Sequence, residues 1–296
     1  MNASSLGPAD GESSQSSRTD LGELLDNWRN ELAGWAIPEE ITSTAAESPW
    51  NLPRQVFARR ADRLAATPEG PSWRRAWGAL DPPGSVLDVG AGAGAACIPL
   101  LARATALTAV DTDPEMLALL AERARALTRK VALVTGSWPM VAPQAAPADL
   151  VTCYNVVYNA PDIEPFLAAL TTSARRLVVV ELTAEHPLAS LNDLWLRFHG
   201  RRRPAGPTAG DLLQILSAMG ISAGHERWQR AGGADYASFG ELATVTTRRL
   251  GLPPERTDEV GAALLDDGTN PARPPELAAG RRDMVTIWWA GGGFID

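Results

Sequence analysis

Three glycines at alternate positions, Gly90, Gly92 and Gly94, close the run Val86-Leu-Asp-Val-Gly-Ala-Gly-Ala-Gly94, which carries one acid, Asp88. The pattern predicts a short apolar strand, a tight turn, and then a helix from about Ala95 to Arg103. Glycines at such a turn let the backbone approach a ligand closely, and the free N–H groups of a helix start point at it. These residue types at this spacing suit a nucleotide-type cofactor. Two cofactor classes fit them. Gly90, Gly92 and Ala95 can be read as the dinucleotide fingerprint G-x-G-x-x-G/A, with Asp111 about 20 residues on, where a ribose-binding acid belongs. Asp88 weighs against that reading, because a carboxylate beside the loop repels a pyrophosphate and favours a cationic cofactor.

Read as D-x-G-x-G-x-G, the same residues resemble motif I of the class I S-adenosylmethionine (SAM) methyltransferases. SAM carries a sulfonium and an ammonium, whose charge the acid offsets. Two further segments strengthen the resemblance. Ala106–Leu117 resembles the family's second strand and following helix, and Ala148–Asp162 its fourth strand and loop. The resemblance implies that Asp111 meets the ribose hydroxyls, that Thr112 and Met116 border the adenine, and that backbone around Tyr154 and Asn155 holds the methionine end. The cofactor set it implies is Asp88, Gly90, Ala91, Gly92, Gly94, Asp111, Thr112, Met116, Ser137, Trp138, Tyr154 and Asn155. Many relatives carry an acid for the adenine amino group where this chain has Ser137-Trp138. Asp113 reads instead as a helix N-cap, with Pro114 at the first helical position.

The elements that must position these residues follow from the alternation of strand and helix patterns between residues 84 and 181, which argues a parallel sheet. The fold expected from the resemblance is α/β. It is a Rossmann-like, mostly parallel sheet of seven strands in the order 3-2-1-4-5-7-6, the last antiparallel. Residues 1–20 are Ser-, Gly- and Asp-rich and are expected to be a disordered tail. Residues 21–80 show three helical patterns and are expected to form a helical cap. Residues 81–296 make the SAM-binding domain, with insertions at about 182–207 and 236–268. Thr208 should cap a helix over Ala209–Met219.

Ligands bind beyond the carboxyl ends of strands in such sheets. The loop after Asn155 and the connection after Glu181 supply Tyr158, Asn159, Glu185, His186, Trp195, His199 and Arg201–Arg203. His186 is the candidate catalytic base, since histidine suits proton transfer near neutral pH. A turn cap beside Pro187 is its structural alternative. Tyr158, Asn159, Trp195 and His199 are candidate acceptor contacts. Arg201–Arg203 is either an anion site or a solvated charge run.

The 296 residues carry a formal net charge of −8, which counts against a sequence-blind nucleic-acid binder. No long apolar run or basic-then-apolar start is present, so neither a membrane span nor a signal peptide is expected. Two cysteines and three scattered histidines give no zinc-type spacing, so no metal is expected. The expectation is a cytoplasmic enzyme that methylates O or N of a small molecule. Rival readings are an RNA or protein methyltransferase on the same fold, an NAD-dependent oxidoreductase, and a non-catalytic SAM-binding protein. After the fourth strand the chain reads Asn155-Val-Val-Tyr158, without the prolines of the amino-methylating Asn-Pro-Pro-Tyr motif. The acceptor itself is not specified by these residues.

Overall fold

The computed structural model describes residues 10–43, 49, 53–125, 127, 130–230, 235–272 and 282–292. Seven strands form one sheet: β1 (Gly84–Val89), β2 (Ala104–Asp111), β3 (Val131–Thr135), β4 (Ala148–Tyr154), β5 (Ala174–Thr183), β6 (Gly224–Arg230) and β7 (Arg282–Ala290). Their order is β3-β2-β1-β4-β5-β7-β6, with β1 to β5 parallel and β7 antiparallel to both its neighbours. This is the expected Rossmann-like order. Every parallel strand therefore ends on one edge of the sheet, and the side chains at those ends gather there.

Ten α-helices surround the described sheet: α1 (Asp10–Ala33), α2 (Glu39–Thr42), α3 (Arg54–Ala66), α4 (Gly70–Ala79), α5 (Pro114–Arg125), α6 (Ile163–Ser173), α7 (Asn192–His199), α8 (Ala209–Ala218), α9 (Phe239–Arg249) and α10 (Thr257–Asp266). Strand alternation builds two cores. Leu87, Val89, Val151, Cys153, Val178 and Val180 pack on one face with side chains of α1, α6 and α8. Val86, Leu107, Leu150 and Val179 pack on the other with α4 and α5. Thr208 caps α8 in a full capping box with Asp211, as its position predicts.

A third apolar cluster lies outside the two sheet-face cores. Trp35, Val56, Leu191, Leu194, Trp195, Leu242, Val245 and Val260 join the segment after α1 to α3, α7, α9 and α10. Segments expected as insertions thus pack together with part of the N-terminal region, and two helices expected in the cap over 21–80 lie against the sheet instead. α4 lies on the sheet, with Ser72 bonded to Thr286 of β7 at 2.6 Å. Trp28 of α1 is sheet-side core, and its Nε1–H donates to the Ala160 carbonyl at 2.9 Å.

Two further expectations are corrected. α1 starts at Asp10, so the expected disordered tail is helical from there on; its Asp, Glu, Ser, Gln and Arg residues contain no proline to break the helix. Residues 1–9 lie outside the described set. The helix expected over Ala95–Arg103 is a series of turns around a 3-10 segment, Ile98–Leu100. Pro99 has no N–H to continue an α-helix, and the bonds run from Leu100 to Cys97 and from Leu101 to Ile98.

Candidate functional site

A cavity of about 740 Å³ opens at the carboxyl edge of the sheet. That falls within the ~300–1,000 Å³ typical of small-molecule sites. Its floor is made by the ends of five strands: Val89 and Gly90, Val110 and Asp111, Gly136 and Ser137, Tyr154 and Asn155, and Glu181. Its roof is α3, which contributes Arg54, Phe57, Arg60 and Leu64. Phe57 packs with Ala93 of the glycine loop and with Met116 of α5, closing that end.

The glycine loop is built for close approach. Gly90 has φ +70°, and a Cβ there would lie 2.2 Å from Val156 Cγ2. No side chain fits, so backbone forms the cavity wall at this point. The Gly90 and Ala91 N–H groups both donate to the Val110 carbonyl, tying the loop to the end of β2. The Gly92 N–H donates to Asp111 Oδ2 at 2.8 Å, and the Asp113 N–H donates to Asp111 Oδ1 at 2.9 Å. Asp111 is thereby held as a fixed acceptor facing the cavity. Asn155 has φ +61°, the one non-glycine residue in the left-handed region among those described. Such backbone strain clusters at functional sites.

Among the expected cofactor residues, Gly90, Ala91, Gly92, Asp111, Thr112, Met116, Ser137, Trp138, Tyr154 and Asn155 all line this cavity. Asp88 and Gly94 do not. Asp88 is buried beneath the loop, where it accepts from the Thr152 hydroxyl at 2.7 Å and leaves Oδ2 without a partner. Burial drives its pKa up to about 6. The expected direct neutralisation of the cofactor by Asp88 is corrected accordingly. Its side chain takes the opposite face of β1 from Leu87 and Val89 and meets Thr152 of β4.

The acceptor-side expectations are mostly corrected. His186 is buried under Trp35, stacked at 4.0 Å between centroids, and its Nδ1 accepts from the Leu188 N–H at 3.3 Å. Burial, then the Arg203 and Arg249 charges, push its pKa down to about 3. It caps a turn and does not face the cavity. Tyr158 donates to the Thr183 carbonyl at 2.8 Å and stacks on Trp28, as core. Trp195 and His199 of α7 pack on each other, and His199 Nε2 lies 2.7 Å from the Leu250 carbonyl. Asn159 does line the cavity. Arg201 pairs with Glu40, while Arg203 lies over the rings of Trp35 and Trp195 and bonds the Trp35 carbonyl.

Sequence reading missed the residues at the other end of the cavity. Glu181 is buried and forms an ion pair with Arg230, also buried. Arg60 and Arg248 join them on the wall. One signal was available: Glu181 ends an apolar strand, where an isolated acid is unusual.

SAM fits the first end of this cavity. The side-chain-free wall at Gly90, the fixed carboxylate of Asp111 and the apolar pair Met116 and Trp138 are what a nucleoside with cationic groups requires. Among the described residues no group of His, Cys, Asp and Glu is placed to hold a metal ion. No described helix is long and apolar enough to cross a membrane.

Residues 86–177 match a family model described as a methyltransferase domain. Solved structures similar to this chain include the YcgJ protein of Bacillus subtilis, at 16% identity, covering 79% of this chain and 98% of that one, with a TM-score of 0.48. Magnesium protoporphyrin IX methyltransferase from Synechocystis, with bound S-adenosylhomocysteine, is 17% identical over 78% of this chain and 83% of that one, at 0.45. A Bacillus halodurans protein described as a methyltransferase is 13% identical over 72% and 97%, at 0.48. No curated protein matches the chain.

Proposed function

We propose that this chain, a class I SAM-dependent methyltransferase by its domain match and strand order, methylates an oxygen or nitrogen of a small molecule. The observation that supports the acceptor reading is the roof: α3, with Arg248 of α9, faces the strand ends across a partly covered cavity. A small acceptor is of a size to enter such a space.

When bound, SAM supplies an electrophilic methyl group on a sulfonium. Asp111, Thr112, Met116, Ser137 and Trp138 are the residues that would hold its nucleoside. The backbone of Gly90–Gly92 and Asn155 would hold the remainder. Phe57 and Met116 exclude water at that end. Orientation of the acceptor against the methyl group supplies much of the rate in such displacements. No histidine lines the cavity among the described residues, so the reading assigns no histidine base. The buried free cysteines Cys97 and Cys153 support a reducing, cytoplasmic working place.

The test is calorimetric titration with S-adenosylhomocysteine, with NAD as control, on the wild type and Asp111→Ala. Binding in the micromolar range that the substitution removes supports the reading. Binding of NAD alone would overturn it, and salt-dependent RNA binding would overturn the small-molecule acceptor.

A further inference from the structure

A second cavity, of about 410 Å³, borders the first and also has the size of a small-molecule site. Pro53, which leads into α3, and Arg248 of α9 line both cavities. The rest of its wall comes from α3, α9, the segment after α9 and the start of α10. None of the residues assigned to the cofactor lines it.

The chemistry of this wall is apolar. Pro53, Val245, Leu252 and Pro254 supply hydrocarbon. Val245 and Leu252 belong to the third apolar cluster, so the surface they offer is the face of a packed core. The two prolines have a fixed φ, which keeps the ordering cost of binding small. The polar side chains in the wall are already engaged. The hydroxyls of Thr244, Thr247 and Thr257 donate to the carbonyls of Gly240, Ala243 and Pro254, at 2.9, 2.8 and 2.7 Å. The Glu241 carboxylate accepts from Arg59 at 2.7 and 2.8 Å and from the Ala237 N–H at 2.6 Å. A polar ligand body would lose its water here against groups that already have partners, whereas an apolar body gains from leaving water.

We propose that the second cavity sets acceptor specificity: it holds an apolar body of the methyl acceptor, whose oxygen or nitrogen reaches the first cavity past Pro53 and Arg248. This deepens the small-molecule methyltransferase reading and rests on it. The shared wall identifies the occupant, because a molecule seated in the second cavity borders the cavity that the cofactor fits.

Protein loaded with S-adenosylhomocysteine is titrated by calorimetry with phenol, 4-ethylphenol and 4-butylphenol. The expected result is saturable one-to-one binding without displacement of S-adenosylhomocysteine. It should tighten by up to about fourfold, or about 0.8 kcal/mol, for each added methylene. Thr244 is exposed on α9, and Thr244→Trp sets an indole at the cavity. It should weaken 4-butylphenol about tenfold or more and keep the S-adenosylhomocysteine affinity. Should that variant not fold, Thr244→Lys sets a charge there with a good helix former, and it must weaken 4-butylphenol several-fold. In the wild-type ternary complex, nuclear Overhauser contacts should link the butyl protons to the Leu252 methyls and the ring protons to S-adenosylhomocysteine. No saturable binding, affinity independent of chain length, displacement of S-adenosylhomocysteine, absence of either contact, or equal binding by the variant overturns the proposal. If S-adenosylhomocysteine itself does not bind, the methyltransferase reading fails, and the phenol series on unloaded protein still decides whether the cavity takes an apolar body.

Discussion

The Thr152 hydroxyl of β4 donates to the Asp88 carboxylate of β1 at 2.7 Å, in a space where Asp88 is only 1% exposed. Burial outweighs the Thr152 and Cys97 groups that favour the carboxylate, so the acid's pKa is pushed up to about 6.

A raised folded pKa means that the native state binds the proton more tightly than the unfolded chain. Between the ordinary value of 3.8 and about 6, stability therefore falls as pH rises. Asp88→Asn removes the charge and keeps an acceptor for Thr152. Denaturant unfolding at pH 7.5 should show the variant to be more stable, by up to about 3 kcal/mol, with a smaller gap at pH 4.5. A variant less stable at both pH values would mean that the ionised form is stabilised by something other than Thr152. Its S-adenosylhomocysteine affinity should change far less than that of an Asp111 variant, since Asp88 lies below the cavity.

Asp111 is the contrasting acid. Its two oxygens are fixed by the Gly92 and Asp113 N–H groups, and the carboxylate faces the cavity. Asp111→Asn keeps the size of the side chain, removes the charged acceptor and leaves only one oxygen for the Gly92 and Asp113 N–H groups. Loss of a charged hydrogen bond is worth about 1.5–3 kcal/mol, so binding should weaken about 10–100-fold by calorimetry. Unchanged affinity would place the ribose elsewhere.

Gly90 tests the loop. An alanine there needs φ +70° and must displace Val156, whose Cγ2 would lie 2.2 Å from the new Cβ. Gly90→Ala should cost about 1–3 kcal/mol in unfolding free energy from backbone strain alone. It should also abolish detectable S-adenosylhomocysteine binding. Adding Val156→Ala relieves the contact and not the strain, so the double variant should recover part of the stability only.

His186 bears on how much of this site was legible in the sequence. The cofactor end was, because a glycine turn and an acid at a strand end are local signals that survive without the rest of the fold. The choice of His186 as base used a local signal too, its closeness to the end of β5. Which way its ring turns is decided by Trp35, more than a hundred residues earlier, and no spacing rule reports that. Arg60 and Arg248 were missed for the same reason. On a helix, an arginine reads as a solvated face until other elements close over it. Pro99 marks the reverse failure: the residue that ends the expected helix was visible, and apolar neighbours masked it.

Because its ring is buried and neutral, His186 gives a signed prediction. Its folded pKa of about 3 lies below the ordinary 6.5, so the unfolded chain takes up the proton first as pH falls. Its contribution to stability is present above about pH 6.5 and is lost toward pH 3. His186→Asn should flatten that loss in urea unfolding, and should leave the S-adenosylhomocysteine affinity within about twofold, an energy near 0.4 kcal/mol. A large loss of cofactor affinity would return His186 to the site.

Asp235 tests what holds the roof. Its carboxylate is 1% exposed and accepts from Arg60 at 2.8 and 3.0 Å and from Arg63 at 3.3 Å, two residues one turn apart on α3. That geometry ties the helix over the cavity to the segment leading into α9. Removing one partner of a buried ion pair costs about 3–5 kcal/mol, so Asp235→Asn should lower stability on that scale. The loss should persist in 1 M salt, since buried pairs are screened little, whereas a surface pair would lose its contribution there. Loosening the roof should also speed ligand release more than it slows entry. Stopped-flow displacement of S-adenosylhomocysteine should therefore show a higher dissociation rate with a nearly unchanged association rate. Equal dissociation rates in variant and wild type would show that α3 is held in place without this pair.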